Sequence, residues 1–341
     1  MLAARYLGPH RVKVETISLP EIGEDEALIE VEACGFCGSD INIIAGTHPR
    51  AIAPLTLGHE LSGKVAQINS STSPIKVGDK VTMFPLISCG RCHACTHGNP
   101  HVCRGLRLFG FDLDGGMAQY AKLPVSALMS LPAEMPARIG ALIEPLAVAV
   151  HGVRRANLDG VQLAVVLGAG PIGLLTALVA QASGIPDVLI SDVIHERRVL
   201  ARSLGLNAIE AGETLRQVVL EVSNDDGADV LFECAGHPTS AIEMSTLVRP
   251  RGVIVNLGVF KKPVPVDMQT INFKELQILG SRVYERSDFE ASIGLAMRLP
   301  LDPIVTHAFS LQDVGVAFEK FRSGQVCKAL IRPLGAPGEA I

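Results

Sequence analysis

The chain has 341 residues, of which 48% are hydrophobic and 19% are charged, and its formal net charge at pH 7 is -5. This balance excludes an intrinsically disordered chain, and the negative charge argues against a nucleic-acid-binding protein, which needs a basic face. The length exceeds one ordinary compact core, so two domains are expected. No continuous apolar core follows the first methionine, so we expect no signal peptide and a cytoplasmic protein.

The first part of the chain, to about residue 130, has the pattern of short β-strands. In ALIEVEACG, Ile29, Val31 and Ala33 alternate with Glu30 and Glu32, which places apolar and charged side chains on opposite faces of a strand. LSGKVAQI and GDKVTMF are similar short runs with turn residues between them. The pattern predicts a β-rich first domain.

Three stretches hold candidate metal ligands: CGFCGSD with Cys37, LGHELSG with His59 and Glu60 between apolar segments, and LIEPLAVAVHG with Glu144 inside an apolar run. A carboxylate buried among aliphatic side chains is costly unless it is paired or binds a metal. A thiolate, an imidazole and carboxylates suit a zinc site that keeps an exchangeable position. The pair Cys34 and Cys37 also has thioredoxin spacing, but it follows a strand of a β-rich region, which argues against that chemistry.

Residues 88–103 read SCGRCHACTHGNPHVC and hold four of the eight cysteines. The spacing C-x2-C-x2-C-x7-C allows four thiolates to close a tetrahedral shell around a structural zinc ion. Surface thiols and an iron–sulfur cluster are alternatives, although bacterial cluster motifs use a shorter last gap followed by proline. In a reducing compartment, clustered cysteines favour metal binding over disulfides. A closed shell cannot bind substrate, so this loop indicates scaffold and not function.

From about residue 146 the pattern changes to strands that alternate with helices. QLAVVLG, DVLISD, DVLFECAG and GVIVNLG are apolar runs separated by helical stretches such as IGLLTALVAQASG and ERRVLARSLG. That alternation predicts a parallel sheet with helices on both faces. Residues 161–180 are apolar enough to suggest a membrane helix, but GAGP in their middle favours a strand, a tight turn and a helix.

VVLGAGPIG carries the dinucleotide fingerprint G-x-G-x-x-G at Gly168, Gly170 and Gly173, directly after a strand and at the start of a helix. Asp192 ends the next strand, about 20 residues further on, where a carboxylate accepts the ribose hydroxyls and repels a 2′-phosphate. NAD is therefore expected over NADP, although the positive charges of Arg197 and Arg198, just downstream, favour the 2′-phosphate of NADP.

The order of these motifs resembles the zinc-containing medium-chain alcohol dehydrogenases along essentially the whole chain. GHE followed by EPLAVAVH is most similar to the polyol branch, that of sorbitol (L-iditol) and 2,3-butanediol dehydrogenases. The resemblance implies an α/β fold in which a Rossmann domain with a doubly wound parallel sheet joins a β-rich GroES-like catalytic domain. The implied domains are 1–146 (catalytic, with the structural zinc loop), 147–286 (Rossmann, NAD-binding) and 287–341 (a segment that returns to the catalytic domain).

The resemblance also implies roles for individual residues. The implied zinc ligands are Cys37, His59 and Glu60 at a catalytic ion, with Glu144 as ligand or neighbour through water, and Cys89, Cys92, Cys95 and Cys103 at a structural ion. The implied catalytic residues are Ser39, as the relay hydroxyl, Glu60 and Glu144. The implied cofactor residues are Gly168, Gly170, Pro171, Ile172, Gly173, Asp192, Arg197 and Leu257, with Arg197 now beside Asp192 at the adenosine ribose. Arg282 and Tyr284 are expected on the substrate side.

The chain departs from the family pattern at two adjacent positions. Many relatives have a histidine five residues after the ligand cysteine, as the outer end of a proton relay, and here that residue is Asn42. An amide cannot take up a proton at neutral pH. The aromatic residue that often follows is Ile43 here. The inner relay hydroxyl is kept, while the proton exit and the substrate wall differ.

The implied reaction is NAD-dependent oxidation of a secondary alcohol, in a polyol, sugar or small diol, to a ketone, with zinc as Lewis acid. Two alternatives stay open. One is an amino-alcohol dehydrogenase similar to threonine dehydrogenase, a family that tends to have Asp before the proline of EP. The other is a non-enzymatic, NAD-binding zinc scaffold. We expect a homo-tetramer or homo-dimer with a small-molecule alcohol substrate, and neither nucleic acid nor membrane as partner.

Overall fold

The computed structural model of the protein describes residues 1–324 and 326–335. They divide into two compact units: Met1–Glu144 together with the described residues from Ile293 onward, and Pro145–Ser292. The sequence-based boundaries at residues 146 and 286 separate domains by function, as catalytic and dinucleotide-binding. They stay predictions.

The first unit consists mainly of short strands. Up to residue 144 its strands are β1 (Leu2–Tyr6), β2 (Val12–Thr16), β3 (Glu26–Phe36), β4 (Leu55–Thr56), β5 (Glu60–Asn69), β6 (Lys80–Met83), β7 (Leu86–Ile87), β8 (Arg107–Leu108), β9 (Tyr120–Pro124) and β10 (Leu128–Ser130). Its helices there are α1 (Gly38–Ile44), α2 (His93–Thr96) and α3 (Ala137–Gly140). Helix α4 (Ile143–Arg155) contains the first boundary between the units.

The second unit alternates strands and helices. They are β11 (Leu163–Leu167), α5 (Pro171–Ala182), β12 (Asp187–Asp192), α6 (His195–Ser203), β13 (Asn207–Glu210), α7 (Glu213–Ser223), β14 (Ala228–Glu233), α8 (Pro238–Leu247), β15 (Val248–Asn256), α9 (Met268–Phe273) and β16 (Gln277–Gly280). Helix α10 (Arg286–Ala296) contains the second boundary. The first unit then resumes with β17 (Val305–Ser310), α11 (Val314–Arg322) and β18 (Lys328–Arg332).

Seven strands form the main sheet of the first unit, in the order β10-β6-β5-β3-β18-β17, with β9 also paired to β3. The predicted alternation in β3 is confirmed, because Ile29 and Val31 are fully buried. Strand β18, from the last part of the chain, lies antiparallel to β3 with Ala329 opposite Phe36 and Ile331 opposite Cys34. It therefore lies beside the strand end that leads into Cys37.

The second unit holds a six-stranded parallel sheet in the order β13-β12-β11-β14-β15-β16. Its central strands are buried on both faces, with Val165, Leu231 and Ile254 in the core. The strand order reverses between β11 and β14, which is the point where doubly wound sheets bind ligands. The doubly wound parallel sheet predicted from the sequence is confirmed.

The apolar stretch 161–180 forms β11, a glycine turn and most of α5, as predicted, and not a membrane helix. Among residues 1–324 and 326–335, no helix combines the length and apolar character that crossing a bilayer requires.

Candidate active site and metal centres

Three side chains of the first unit form a potential metal site. Cys37 lies in the turn between β3 and α1, and His59 directly precedes Glu60, the first residue of β5. The ligand atoms of these three residues all lie within 4.8 Å of one another. His59 is 3% exposed and Glu60 is 1% exposed. Strand pairing brings the two segments together, since Gly35 of β3 is opposite Glu60 of β5.

Glu144, in the first turn of α4, is buried close to this site. Its carboxylate is not in the 4.8 Å group found among the described residues, but its negative charge helps to raise the pKa of His59. The structure therefore brings together three of the four residues expected at the catalytic ion, and it places the fourth as a charged neighbour.

The electrostatics of the group favour a cation. Burial lowers the pKa of His59, but the negative charges of Cys37, Asp40 and Glu144 act against it and raise the pKa to about 10. Within the described residues, His59 Nδ1 and Ser39 Oγ are buried without a hydrogen-bond partner. A thiolate, an imidazole and a carboxylate around an excess of negative charge form a donor set that fits zinc.

Asp40 supports two of the candidate ligands and was not singled out from the sequence. Its Oδ2 accepts a hydrogen bond from the backbone N–H of Cys37 at 2.9 Å, and its Oδ1 lies 3.9 Å from His59 Nδ1. The residue is fully buried, and burial raises the pKa of its carboxyl to about 6. Carboxylates that orient ligand histidines are common around zinc. The aspartate of the GSD sequence, three residues after Cys37, was the signal from which this role could have been predicted.

Lys328 is a second residue that sequence reasoning missed. Its ammonium lies 2.6 Å from Oε1 of Glu60 and 2.5 Å from Oε2, and the lysine is 3% exposed. Burial lowers the pKa of Lys328, but the charges of Glu60 and Cys37 outweigh it and raise the pKa above its ordinary value. Glu60 thus has a protein counterion of its own. A metal at this site would have to share the Glu60 carboxylate with Lys328, whereas among the described residues Cys37 and His59 have no such lysine partner.

One aromatic ring, that of Phe111, lies next to His59. The ring of Phe111 lies 4.8 Å from the ring of His59 and 5.0 Å from that of His48. Ile43, at the position where relatives often have an aromatic residue, is fully buried. The backbone carbonyl of Asn42 accepts hydrogen bonds from the N–H groups of Thr47 and His48. Phe111, and not the residue after Asn42, therefore supplies the aromatic surface next to a candidate ligand.

The predicted structural zinc loop forms a compact cluster of thiols, and all eight cysteines of the chain are free. The sulfur atoms of Cys89, Cys92, Cys95 and Cys103 lie within 4.8 Å of one another, with Cys92 Sγ 3.5 Å from Cys95 Sγ and 3.7 Å from Cys103 Sγ. A tetrahedral zinc with bonds of about 2.3 Å requires sulfur atoms about 3.8 Å apart. Backbone N–H groups of Cys95 and Arg104 lower the pKa of Cys92 to about 6, which favours the metal-binding thiolate.

The dinucleotide fingerprint adopts the expected geometry in the second unit. Gly168 has φ +95°, a conformation that other residues rarely adopt, and Gly170 caps α5, which begins at Pro171 and Ile172. A Cβ on Gly173 would lie 1.8 Å from the carbonyl oxygen of Gly168, so only glycine allows helix and strand to approach this closely. The free N–H groups at the start of α5 suit a pyrophosphate.

Asp192 lies at the carboxyl end of β12 and lines a pocket of about 450 Å³ together with Gly168, Gly170 and Arg197. Its Oδ2 accepts the N–H of Ala169 at 2.8 Å and lies 3.4 Å from a guanidinium nitrogen of Arg197. The carboxylate is thereby fixed at the edge of the pocket, where its remaining lone pairs can accept ribose hydroxyls.

The other predicted site residues lie at the far half of the same sheet. Leu257 follows β15 and is 8% exposed. Its side chain packs against Gly152, where a Cβ would lie 2.4 Å from a Leu257 methyl group. Arg282 is exposed, whereas Tyr284 is fully buried with its ring 5.4 Å from that of Phe289. Tyr284 therefore presents no exposed surface of its own to a ligand.

Two family models match the chain: alcohol dehydrogenase GroES-like domain over residues 23–133, and zinc-binding dehydrogenase over residues 171–298. The first covers the β-rich part with both groups of candidate metal ligands, and the second covers most of the parallel sheet.

Enzymes of known activity are similar over nearly the whole chain. A 2-dehydro-3-deoxy-L-galactonate 5-dehydrogenase of Pseudoalteromonas atlantica is 36% identical over 97% of this chain and 98% of its own. An L-threonine 3-dehydrogenase of Bacillus licheniformis is 33% identical over 94% of both chains. A sorbitol dehydrogenase of Halalkalibacterium halodurans is 33% identical over 92% of this chain and 94% of its own.

Among solved structures, a protein from Sinorhizobium meliloti assigned as a zinc-binding dehydrogenase and bound to NADP superposes with a TM-score of 0.91 at 32% identity. The match covers 97% of this chain and 99% of that one. The family, the fold and the two kinds of cofactor predicted from the sequence, zinc and a nicotinamide dinucleotide, are confirmed.

Proposed function

The chain belongs to the zinc-dependent medium-chain alcohol dehydrogenase family, and we propose that it oxidises a secondary alcohol of a polyol, sugar, sugar acid or small diol to a ketone. The observation that carries the proposal is the group of Cys37, His59 and Glu60, whose ligand atoms converge within 4.8 Å in the first unit. The sugar-acid and sorbitol dehydrogenases among the relatives support this substrate class.

Zinc, when bound by Cys37 and His59, supplies Lewis acidity that lowers the pKa of the substrate alcohol, and the nicotinamide accepts the hydride. Ser39 lies two residues after Cys37 and its hydroxyl is buried without a partner among the described residues, so it can accept the alcohol proton while it passes its own hydroxyl proton on toward solvent. Asp40 holds the Cys37 backbone and faces His59, which fixes the orientation of both ligands. Glu60 and Glu144 supply negative charge that retains the cation.

We propose that NAD is preferred over NADP. Asp192 lies at the pocket edge at the end of β12, and a carboxylate there repels a 2′-phosphate. Arg197 is 3.4 Å from that carboxylate, so its charge is directed toward Asp192. The relative from S. meliloti has NADP bound, so the preference of this chain between NAD and NADP has to be measured directly.

A second candidate is the amino-alcohol reaction, because an L-threonine 3-dehydrogenase is as identical to the chain as the sorbitol dehydrogenase is, at 33%, and over slightly more of it. Glu144 before the proline of EP, where threonine dehydrogenases tend to have Asp, favours the polyol class. The third alternative, a non-enzymatic scaffold, has no support, since the candidate catalytic ligands are all present.

We propose a homo-oligomer, either a dimer or a tetramer, located in the cytoplasm. Strand β16 is the edge of its sheet, and Ile278 on that strand and Phe273 just before it are 42% and 76% exposed. An edge strand with exposed apolar neighbours favours association. All eight cysteines are free, which suits a reducing compartment.

The test is a substrate panel of polyols, sugars, sugar acids, small diols and L-threonine, assayed with NAD and with NADP on protein of known zinc content. The proposal expects two zinc ions per chain and NADH formation with at least one polyol, sugar, sugar acid or diol. Oxidation of L-threonine alone would replace the proposal by the amino-alcohol alternative. One zinc ion per chain with no oxidation of any compound would contradict both.

A further inference from the structure

Residues 281–285, which follow the last strand of the parallel sheet, form an irregular segment held in an unusual conformation. Ser281 donates its backbone N–H to the carbonyl of Asn256 at 2.9 Å, which ties the segment to the end of β15. Val283 has φ +45°, a value that β-branched residues rarely adopt. Backbone conformations of this kind persist only where surrounding contacts enforce them, and they are frequent at ligand sites.

The position of the segment connects it to the nicotinamide half of the cofactor site. The strand order β13-β12-β11-β14-β15-β16 is that of a dinucleotide fold built from two mononucleotide-binding halves. The half with β11, β12 and β13 carries Gly168 and Asp192, and so takes the adenosine part. The carboxyl ends of β15 and β16, where residues 281–285 begin, belong to the other half.

One buried carboxylate holds this segment in place. Asp288, which is 3% exposed, accepts the backbone N–H of Glu285 at 3.0 Å through Oδ2. The same oxygen lies 2.7 Å from Nδ1 of His151, and Oδ1 lies 2.7 Å from a guanidinium nitrogen of Arg154. These contacts keep the pKa of Asp288 below its ordinary value, although burial alone would raise it. An ionised carboxylate only accepts hydrogen bonds, so His151 Nδ1 is the donor.

The two partners of Asp288 lie on helix α4, which meets the same region at two further points. Arg155 donates to the carbonyl oxygen of Gly280, the last residue of β16, at 3.2 Å. Gly152 packs so closely against Leu257 that a Cβ there would lie 2.4 Å from a methyl group of Leu257. Both segments that follow β15 and β16 are therefore supported from one face of α4.

We propose that His151, acting through Asp288, is a positioning residue that holds residues 281–285 in the conformation needed to bind the nicotinamide half of the cofactor. His151 has no role in the chemistry itself. Its Nδ1–H fixes the Asp288 carboxylate, and Asp288 fixes the backbone at Glu285. The inference rests on the proposed dehydrogenase function only for the identity of the cofactor.

The test compares the affinities of NADH and ADP-ribose, which lacks the nicotinamide, for wild type, His151→Ala and His151→Asn. We expect His151→Ala to bind NADH about tenfold more weakly, the scale of one lost hydrogen bond to a charged group, and to bind ADP-ribose as wild type does. Amide hydrogen exchange in residues 281–285 should be faster in the same variant. Asn keeps an N–H donor near the position of Nδ1, so His151→Asn should restore both properties.

A matched control is Asp229→Asn, at the amino end of β14. Asp229 is another mostly buried carboxylate of this unit, with Arg249 at 2.6 Å and the N–H groups of Gln162 and Leu163 as partners. The control should lower the melting temperature and leave the ratio of NADH to ADP-ribose affinity unchanged. Where His151→Ala does not fold, Arg154→Met replaces it, because the Arg154 side chain is 52% exposed, with the same direction of effect expected.

Equal losses of NADH and ADP-ribose affinity, or unchanged values for both, would overturn the proposal, because a residue that only stabilises the fold produces such a pattern. A failure of His151→Asn to restore the ratio would also overturn it. Both readouts are independent of substrate, so a protein that oxidises no alcohol in the panel, and thus contradicts the proposed function, still gives a decisive result here.

Discussion

Lys328 and Glu60 form a buried ion pair across an intervening strand. The ammonium of Lys328 on β18 reaches both carboxylate oxygens of Glu60 on β5, at 2.6 and 2.5 Å, and β3 lies between these strands. The residue of β3 opposite Glu60 is Gly35, where a Cβ would lie 1.8 Å from Glu60 Oε2. Glycine is therefore required at position 35, because the carboxylate occupies the space that a side chain would take.

Replacement of Lys328 by methionine should destabilise the zinc-free protein strongly. The change leaves Glu60 buried and unpaired, which costs about 3–5 kcal/mol. Bound zinc should recover part of that loss, because it offers Glu60 another cation. Thermal melting with and without chelator measures both effects. Lys64→Met is the matched control, since Lys64 pairs with Glu32 at 2.7 Å but is 46% exposed, and its loss should cost less than about 1 kcal/mol.

The variants Cys37→Ser and His59→Ala should lose turnover and keep cofactor binding. Both remove a candidate ligand from the first unit, while the dinucleotide fingerprint lies wholly in the second. Loss of the Lewis acid should lower kcat by at least about 1,000-fold, the scale of about 4 kcal/mol. Zinc content, NADH affinity by fluorescence and single-turnover hydride transfer are the measurements. Near wild-type hydride transfer in either variant would show that zinc is not the catalytic Lewis acid.

Changes at the proton path should alter the rate and its pH dependence separately. Ser39→Ala removes the buried hydroxyl, and we expect kcat to fall roughly 100-fold as general acid–base transfer is lost. Asn42→His adds a titratable group, so the rate at neutral pH should rise modestly. The plot of rate against pH should show an additional inflection near pH 6.5, the ordinary pKa of histidine. Asn42→Gln, which cannot titrate, is the control. An unchanged profile in Asn42→His would remove position 42 from the proton path.

Loss of one thiol from the cysteine loop should harm stability more than chemistry. Cys95→Ser opens a group of four sulfur atoms within 4.8 Å of one another, and structural zinc contributes directly to folding free energy. A loss of about 2 kcal/mol lowers the melting temperature by about 4–8 °C. Zinc per chain should fall from two to one. Cys327→Ser, at a buried cysteine outside both groups, should keep two ions. An unaltered zinc content in Cys95→Ser contradicts the structural assignment.

The preference for NAD should depend on Asp192. Removal of its carboxylate in Asp192→Ala eliminates both the hydroxyl acceptor and the repulsion of a 2′-phosphate, so the ratio of kcat/KM for NAD over NADP should fall roughly 10–100-fold. Asp187→Ala is the control, because Asp187 begins the same strand at the opposite end and is exposed. Higher efficiency with NADP in the wild-type protein would show that the role given to Asp192 is wrong.

Much of the fold and the metal chemistry is predictable because the signals are local. The four thiols lie within residues 88–103, and the glycines of the dinucleotide turn lie within six residues of one another. Alternation in β3 and the apolar strands of the parallel sheet are periodic patterns that a single window of sequence contains. His59 and Glu60 are adjacent in the chain. The order of motifs that is typical of the family was therefore enough to predict that both lie near Cys37.

The missed residues depend on contacts that sequence spacing does not encode. Lys328 is 268 positions from Glu60, and only the pairing of β18 with β3 brings it there. Phe111 reaches His59 through a loop with no regular pattern. Tyr284 illustrates the converse, because it was expected with Arg282 on the substrate side, whereas its ring is fully buried against Phe289.

Because β18 completes the sheet beside β3, the order of synthesis determines when the first unit can close. Residues 145–292 are continuous, so the cofactor unit has all its strands once residue 280 has been made. Domains generally fold as units during translation. We therefore expect a nascent chain to form this parallel sheet while Glu60 still lacks Lys328. We expect the carboxylate of Glu60 to gain its lysine counterion, beside the candidate ligands Cys37 and His59, only after β18 has left the ribosome.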